Sequence, residues 1–278
     1  MTSVPQIMLN NGQPIPQLGF GVFLIEPDQT AQAVATALEV GYRHIDTAEM
    51  YGNEREVGEA IAKSGLDRSE VFVTSKLSND AHQPDDARRA FDQTLQALDF
   101  DYIDLFLIHW PLPTRYDGDF VSTWETLGEL YREGRARSIG VSNFQAHHLR
   151  RLHSESDIPP AVNQIEVSPY LTQDELRQFC AEHQIAIEAW SPLARGGDLL
   201  EDPEVVRISK ETGKTPAQVV LRWHIERGDI VFPKSITPAR IKENFDIFDF
   251  ELSGADVAAI SALNKNERTG PDPDTFGG

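Results

Sequence analysis

Cysteine is all but missing from this chain, which carries a single one, Cys180, in 278 residues. A lone thiol forms no internal disulfide, and its place beside Leu176 and Phe179 on the apolar face of a predicted helix makes it a packed side chain. Basic residues are also scarce: 25 Lys and Arg stand against 44 Asp and Glu, a formal net charge of -19. That field repels nucleic acid and anionic membrane surfaces, so neither is expected as a partner. No apolar run is long enough to span a bilayer, and Met1 to Gln13 lacks a basic segment followed by an apolar one. A cytoplasmic protein is expected. No Ser/Gly/Pro-rich linker divides the sequence, which reads as one domain over 1–278. No G-x-G-x-x-G follows the first strand, which disfavours a doubly wound dinucleotide-binding sheet. Neither H-x-H nor H-E-x-x-H spacing occurs; His44 and Asp46 share a strand face near His109, but Lys76 would compete with a cation, which disfavours a metal-dependent hydrolase.

What is present is alternation. After an opening hairpin near Gln6 to Ile15, eight short β-rich runs alternate with amphipathic stretches: Leu18–Val22, His44–Asp46, Val71–Lys76, Ile103–His109, Ser138–Ser142, Val162–Glu166, Ala186–Ala189 and Ile230–Pro233. Such an order implies parallel strands with crossover helices, and a closed (β/α)8 barrel is the favoured solution. The first helix places Ala33, Val34, Ala37 and Leu38 on one stripe. Later helices open with caps, Thr172 with Glu175 and Thr215-Pro216 with Gln218. An additional C-terminal helix, capped by Ser253 with Val257, Ile260 and Leu263 on one face, precedes a Gly/Pro/Asp-rich tail. The polar stretches Pro111–Phe120 and Ala194–Asp202 read as binding loops.

Four polar residues sit at or just beyond strand ends: Asp46, Tyr51, Lys76 and His109. In a parallel barrel such ends converge at one mouth. A cationic Lys76 beside Tyr51 favours the phenolate and is expected to lower the phenol's pKa, while Asp46 keeps the lysine charged. A neutral His109 can polarise a carbonyl oxygen while Tyr51 supplies the proton that completes an alcohol. None of these side chains delivers a hydride, so a cofactor is required. Ser142, Asn143 and Gln164, at the ends of the fifth and sixth strands, suit a carboxamide; Trp190 offers a stacking face. Lys234-Ser235 and a helix beginning at Thr237-Pro238 and carrying Arg240 suit a phosphate. Taken singly, Asp46 and Lys76 also read as a structural ion pair, and Trp190 as core.

Together these residues resemble the aldo-keto reductases, most closely the prokaryotic members similar to 2,5-diketo-D-gluconate reductase. The resemblance rests on Gly41-Tyr42-Arg43-His44-Ile45-Asp46-Thr47-Ala48, Tyr51-Gly52-Asn53-Glu54, Lys76-Leu77, Ile108-His109-Trp110-Pro111, Gly140-Val141-Ser142-Asn143-Phe144, Pro160-Ala161-Val162-Asn163-Gln164, and Pro233-Lys234-Ser235 with Arg240, Glu243 and Asn244. It implies a (β/α)8 barrel with NADPH, preferred to NADH, extended across its mouth. Tyr51 would be the general acid, Lys76 and Asp46 its tuning groups, and His109 the residue that orients the carbonyl. By the same resemblance Ser142, Asn143 and Gln164 hold the nicotinamide amide, Trp190 stacks, and Ser191 and Leu193 meet the pyrophosphate. Lys234, Ser235 and Arg240 take the 2′-phosphate, and Glu243 and Asn244 the adenine. Phe23 and Trp110 become pocket walls. Ser78 stands where many members carry tryptophan, so an aromatic wall is expected to be missing. Ser168-Pro169 replaces His-Pro, Trp190 replaces a tyrosine, and the tail ending Thr275-Phe276-Gly277-Gly278 is expected to be too short for the full specificity loop. The expected function is NADPH-dependent reduction of aldehydes, ketones or dicarbonyls, including keto-sugar acids, by a monomer acting on a small-molecule carbonyl. The alternative is an NADPH-binding regulatory or sensor protein with negligible turnover.

Overall fold

A computed structural model describes residues 4–277. Met1 to Ser3 of the N-terminal reading, and Gly278 of the tail, lie outside them. An antiparallel pair, β1 (Gln6–Met8) and β2 (Pro14–Pro16), opens the chain. Eight parallel strands follow: β3 (Phe20–Gly21), β4 (His44–Asp46), β5 (Phe72–Leu77), β6 (Leu105–Ile108), β7 (Ile139–Ser142), β8 (Val162–Glu166), β9 (Ala186–Trp190) and β10 (Ile230–Val231). Each pairs with the next, and the ring closes where Leu18 bridges Val231, with backbone bonds from Gly19 N to Val231 O and from Val231 N to Gln17 O. The result is a (β/α)8 barrel with an N-terminal hairpin.

Alternation along β6 shows how the barrel is filled. Leu105 and Leu107 point inward and pack with Leu9 and Ile15 of the hairpin, which plugs the lower end. Phe106 and Ile108 point outward into the core beneath the helices, where the Phe106 ring meets Phe91 edge-on at 4.9 Å. The interior leaves little space. A Cβ on Gly140 would lie 2.7 Å from Val162 O and 2.8 Å from Leu107 Cδ2, so only glycine fits there.

The helices are α1 (Pro27–Val40), α2 (Glu54–Lys63), α3 (Pro84–Leu98), α4 (Val121–Arg132), α5 (Ala146–Glu155) and α6 (Asp174–Glu182), one after each of β3 to β8. The crossover from β9 to β10 holds three, α7 (Asp198–Glu201), α8 (Pro203–Thr212) and α9 (Pro216–Glu226), so the stretch expected as an open loop at Ala194–Asp202 contains a helical turn. After β10 come α10 (Pro238–Phe245) and α11 (Gly254–Ser261). The predicted caps at Thr215 and Ser253 form; Thr215 Oγ1 accepts from Gln218 N, Gln218 Oε1 accepts from Thr215 N, and Ser253 Oγ accepts from Asp256 N. Thr172 does not cap. Gln173 takes the N-cap position with φ 52°, and the Thr172 hydroxyl donates to Asp174 instead. Cys180 is buried on α6, where burial pushes its thiol up to about 12. No helix among the described residues is long and apolar enough to cross a membrane.

Candidate active site

With the hairpin sealing the lower end, the strand C-termini form the open mouth, and a cavity of about 980 Å³ lies there. Tyr51 reaches it from the short 3-10 turn Glu49–Tyr51 after β4. Gly52, with φ 66°, reverses the chain, and Asn53 clamps the turn by accepting from Thr47 Oγ1 and donating to the carbonyls of Val22 and Ile25.

Beneath Tyr51 lies Lys76, 0 % exposed. Its ammonium donates to Asp46 Oδ1 at 2.8 Å, to Thr47 O at 2.8 Å and to the Tyr51 hydroxyl at 3.3 Å. All three of its hydrogens are therefore engaged. Burial pulls the lysine's pKa down, but Asp46 and Tyr51 outweigh burial and hold it above its ordinary value. Burial pushes the Asp46 carboxyl up against the pull of Lys76. Tyr51 departs from expectation: its pKa is raised, because burial outweighs the downward pull of Lys76 and Asp46 adds to the rise. The phenol is protonated at neutral pH. His109 faces Tyr51 edge-on with ring centroids 5.8 Å apart. Burial, then Lys76 and His82, hold its pKa well below the ordinary value, so the ring is neutral, with Nδ1 buried and without a partner among the described residues.

The rest of the mouth is made by the later strands. Ser142 Oγ donates to Gln164 O at 2.9 Å, and Asn143 Nδ2 donates to His109 O at 3.0 Å. Trp190 Nε1 donates to Asn143 Oδ1 at 2.8 Å, so the indole locks the amide beside it. Gln164 Nε2 donates both to Asp46 Oδ2 and to Glu188 Oε2, each at 2.8 Å. Ser191, Leu193, Lys234, Ser235, Arg240, Glu243 and Asn244 all line the same cavity. Among the described residues neither Lys234 nor Arg240 is ion-paired.

Phe23 and Trp110 line the cavity as expected, but Ser78 does not; its backbone N–H donates to Glu49 Oε2, its hydroxyl accepts from Asp80 N in a turn, and the neighbouring Asn79 faces the cavity instead. The aromatic wall is not missing either. The tail crosses the mouth, held where Thr269 N and Gly270 N donate to the Glu166 carboxylate at 2.6 and 3.2 Å, and sets Phe276 against Trp110 with centroids 4.4 Å apart. Gly270 is pressed so closely on the Trp190 ring that a Cβ has no room. Phe276, Met50, Asn79 and Arg195 are lining residues that the sequence motifs did not single out. A second tether joins Asp274 to His147 and His148, at 3.4 and 3.8 Å from their Nε2 atoms. Although these three could approach a cation, His148 Nδ1 accepts the Gln145 N–H, which places the ring's one proton on Nε2, facing Asp274. Metal chemistry at Asp46 is equally disfavoured, since its oxygens already accept from Lys76 and Gln164.

Comparison with known proteins agrees with this geometry. The model of the aldo/keto reductase family matches residues 17–265. A methylglyoxal reductase DkgA of Yersinia pestis is 49% identical over 279 residues, spanning 100% of this chain and 99% of that protein. An aldo/keto reductase structure from Brucella melitensis superposes with a TM-score of 0.91 at 53% identity, covering 95% of this chain and 99% of that one. A Bombyx mori aldo-keto reductase in complex with NADP gives a TM-score of 0.90 at 41% identity, covering 96% and 95%. A barrel whose mouth joins a phenol, an ammonium, a carboxylate and a neutral imidazole, matched by sequence along most of its length, belongs to the aldo/keto reductase family.

Proposed function

We propose that this chain is an NADPH-dependent reductase of small uncharged carbonyls in which Tyr51 donates the proton. The observation that carries the reading is the direction of the hydrogen bond beneath the phenol. Lys76 donates to the Tyr51 oxygen, and the lysine is itself pinned by Asp46 and Thr47 O, so the phenol's own hydrogen is left for the cavity. As that hydrogen leaves, Lys76 stabilises the developing phenolate. His109, neutral at the same wall, offers a ring N–H as a second donor to a carbonyl oxygen.

NADPH, when bound, supplies hydride to the carbonyl carbon. The lining suits that cofactor: Lys234 and Arg240, without an ion pair among the described residues, with Ser235 for the 2′-phosphate, and Ser142, Asn143 and Gln164 for the carboxamide. Trp190 offers the ring face, Ser191 and Leu193 the pyrophosphate contacts, and Glu243 and Asn244 the adenine contacts. The relative named a methylglyoxal reductase and the relative solved with NADP support both halves of the reading.

Charge narrows the substrate. The walls beside Tyr51 and His109 are Phe23, Met50, Trp110 and Phe276, with Asn79 as a polar point. The lining cations, Arg195, Lys234 and Arg240, come from the loops after β9 and β10 and from α10, across the barrel from β6. A carboxylate entering beside His109 lies on the far side of the barrel from these cations and must approach a molecule of net charge -19. Aldehydes and α-dicarbonyls such as methylglyoxal therefore suit the site better than keto-sugar acids. Steady-state NADPH oxidation tests this: methylglyoxal should exceed pyruvate in kcat/KM by at least about tenfold, since an unpaired carboxylate is costly to bury. Tight NADPH binding with negligible turnover on every carbonyl would instead identify a cofactor sensor.

A further inference from the structure

Glu188 lies on β9 inside the barrel, 0 % exposed, where none of the proton-transfer steps uses it. Its Oε2 accepts from Gln164 Nε2 at 2.8 Å, and the same nitrogen donates to Asp46 Oδ2. An amide nitrogen has two hydrogens, so both are engaged and the one polar side-chain atom left to Gln164 is the acceptor Oε1. Gln164 lines the cavity. Turning the amide over would set Oε1 against the Asp46 carboxylate, which has no hydrogen to give it.

We propose that Glu188 is a positioning residue: together with Asp46 it locks the Gln164 amide so that Oε1 is presented to the carboxamide N–H of the nicotinamide. This rests on the cofactor reading above. The surroundings of Glu188 also decide its proton. Asp46 and His44 face it from β4, Lys76 from β5 and Gln164 from β8. His44 gives it nothing: Nδ1 donates to Pro16 O, so Nε2 is an acceptor, filled by Thr74 Oγ1 at 3.0 Å and 3.8 Å from Glu188 Oε1. Oε1 is buried without a partner among the described residues. Burial, then Asp46, pushes the Glu188 pKa up to about 8, and Gln164 and Lys76 pull it back only in part. At neutral pH the group is a carboxylic acid, able to sit one amide away from Asp46 without adding a second charge beneath Lys76. Above about pH 8 that charge appears.

Two variants test the lock, E188Q and E188V, each checked for native circular dichroism and read by quenching of tryptophan fluorescence. The ligands are NADPH and 2′-phospho-ADP-ribose, which lacks the nicotinamide. E188V should lose about threefold to tenfold in NADPH affinity, the worth of one ordinary hydrogen bond, with the ribose fragment unaffected. E188Q keeps an acceptor for Gln164 and should bind NADPH as the wild type does at neutral pH. A thermal scan without ligand gives an independent reading. The folded pKa lies above the unfolded one, so Glu188 stabilises at low pH and that contribution is lost as pH rises toward 8. The wild type should lose more Tm than E188Q over that interval, even if E188V does not fold. Equal NADPH affinity in folded E188V, or parallel pH profiles of wild type and E188Q, overturns the proposal. Failure of the wild type to bind either ligand overturns the cofactor reading instead, and with it this assignment.

Discussion

Removing the Lys76 ammonium while keeping its stem, as in Lys76→Met, would leave the Asp46 carboxylate buried with only Gln164 to donate to it. A buried carboxylate without its cation takes up a proton, and the free energy of doing so sets the magnitude. Near pH 7 the solution is roughly three pH units above an ordinary Asp pKa, at roughly 1.4 kcal/mol each, which gives about 4 kcal/mol of lost stability. That figure agrees with the 3–5 kcal/mol that removing one partner of a buried pair typically costs, on the order of a third or more of a domain's total. The sign with pH follows. In the variant the folded state holds a proton that the unfolded chain has released, so its deficit relative to wild type should shrink to about 1.5 kcal/mol near pH 5. Urea unfolding at the two pH values measures both figures. Adding Asp46→Asn removes the group that must take up that proton, and the double variant should be more stable than Lys76→Met alone. A deficit that is small, or that grows toward low pH, or that Asp46→Asn deepens, would mean that Asp46 and Lys76 do not form the buried pair described.

Tyr51→Phe should lower turnover by about a thousandfold, the usual worth of a positioned proton donor, with NADPH affinity unchanged by fluorescence quenching. Lys234→Met with Arg240→Met should weaken NADPH binding by about tenfold or more yet leave NADH binding within about twofold, read by parallel titrations. Phe276→Ala should raise KM for apolar aldehydes with little change in Tm, because the lost contact is with Trp110 at the cavity wall. An equal loss in KM for every carbonyl, with a large fall in Tm, would instead make Phe276 part of the core.

The strands were legible because their apolar runs are buried on both faces, as at Leu105–Ile108, and the motifs at their ends fell together in the cavity. Strand limits were not. β3 spans only Phe20–Gly21, since Leu18 makes a lone bridge to Val231, and β10 stops short of Pro233, which has no N–H to give. The Thr172 cap failed because Gln173 reaches back to Glu166 O and takes a left-handed turn, a contact no local spacing reveals. The direction of the Tyr51 shift depended on burial, which a neighbour-by-neighbour reading of Lys76 omits. The tail was the least legible part. Its course is set by Glu166, more than a hundred residues earlier in sequence, so nothing around Phe276 announced that it would supply the wall Ser78 lacks. Glu188 did leave a trace, an acid within the otherwise apolar run Ala186–Trp190.

The phenol of Tyr51 rests on an ammonium that has no spare hydrogen, and the neutral His109 imidazole stands edge-on beside it. A ketone approaching two such fixed donors is gripped by its oxygen from one side only, and its two faces become distinguishable. The alcohol that departs should carry a single handedness, dictated by the wall and not by the ketone.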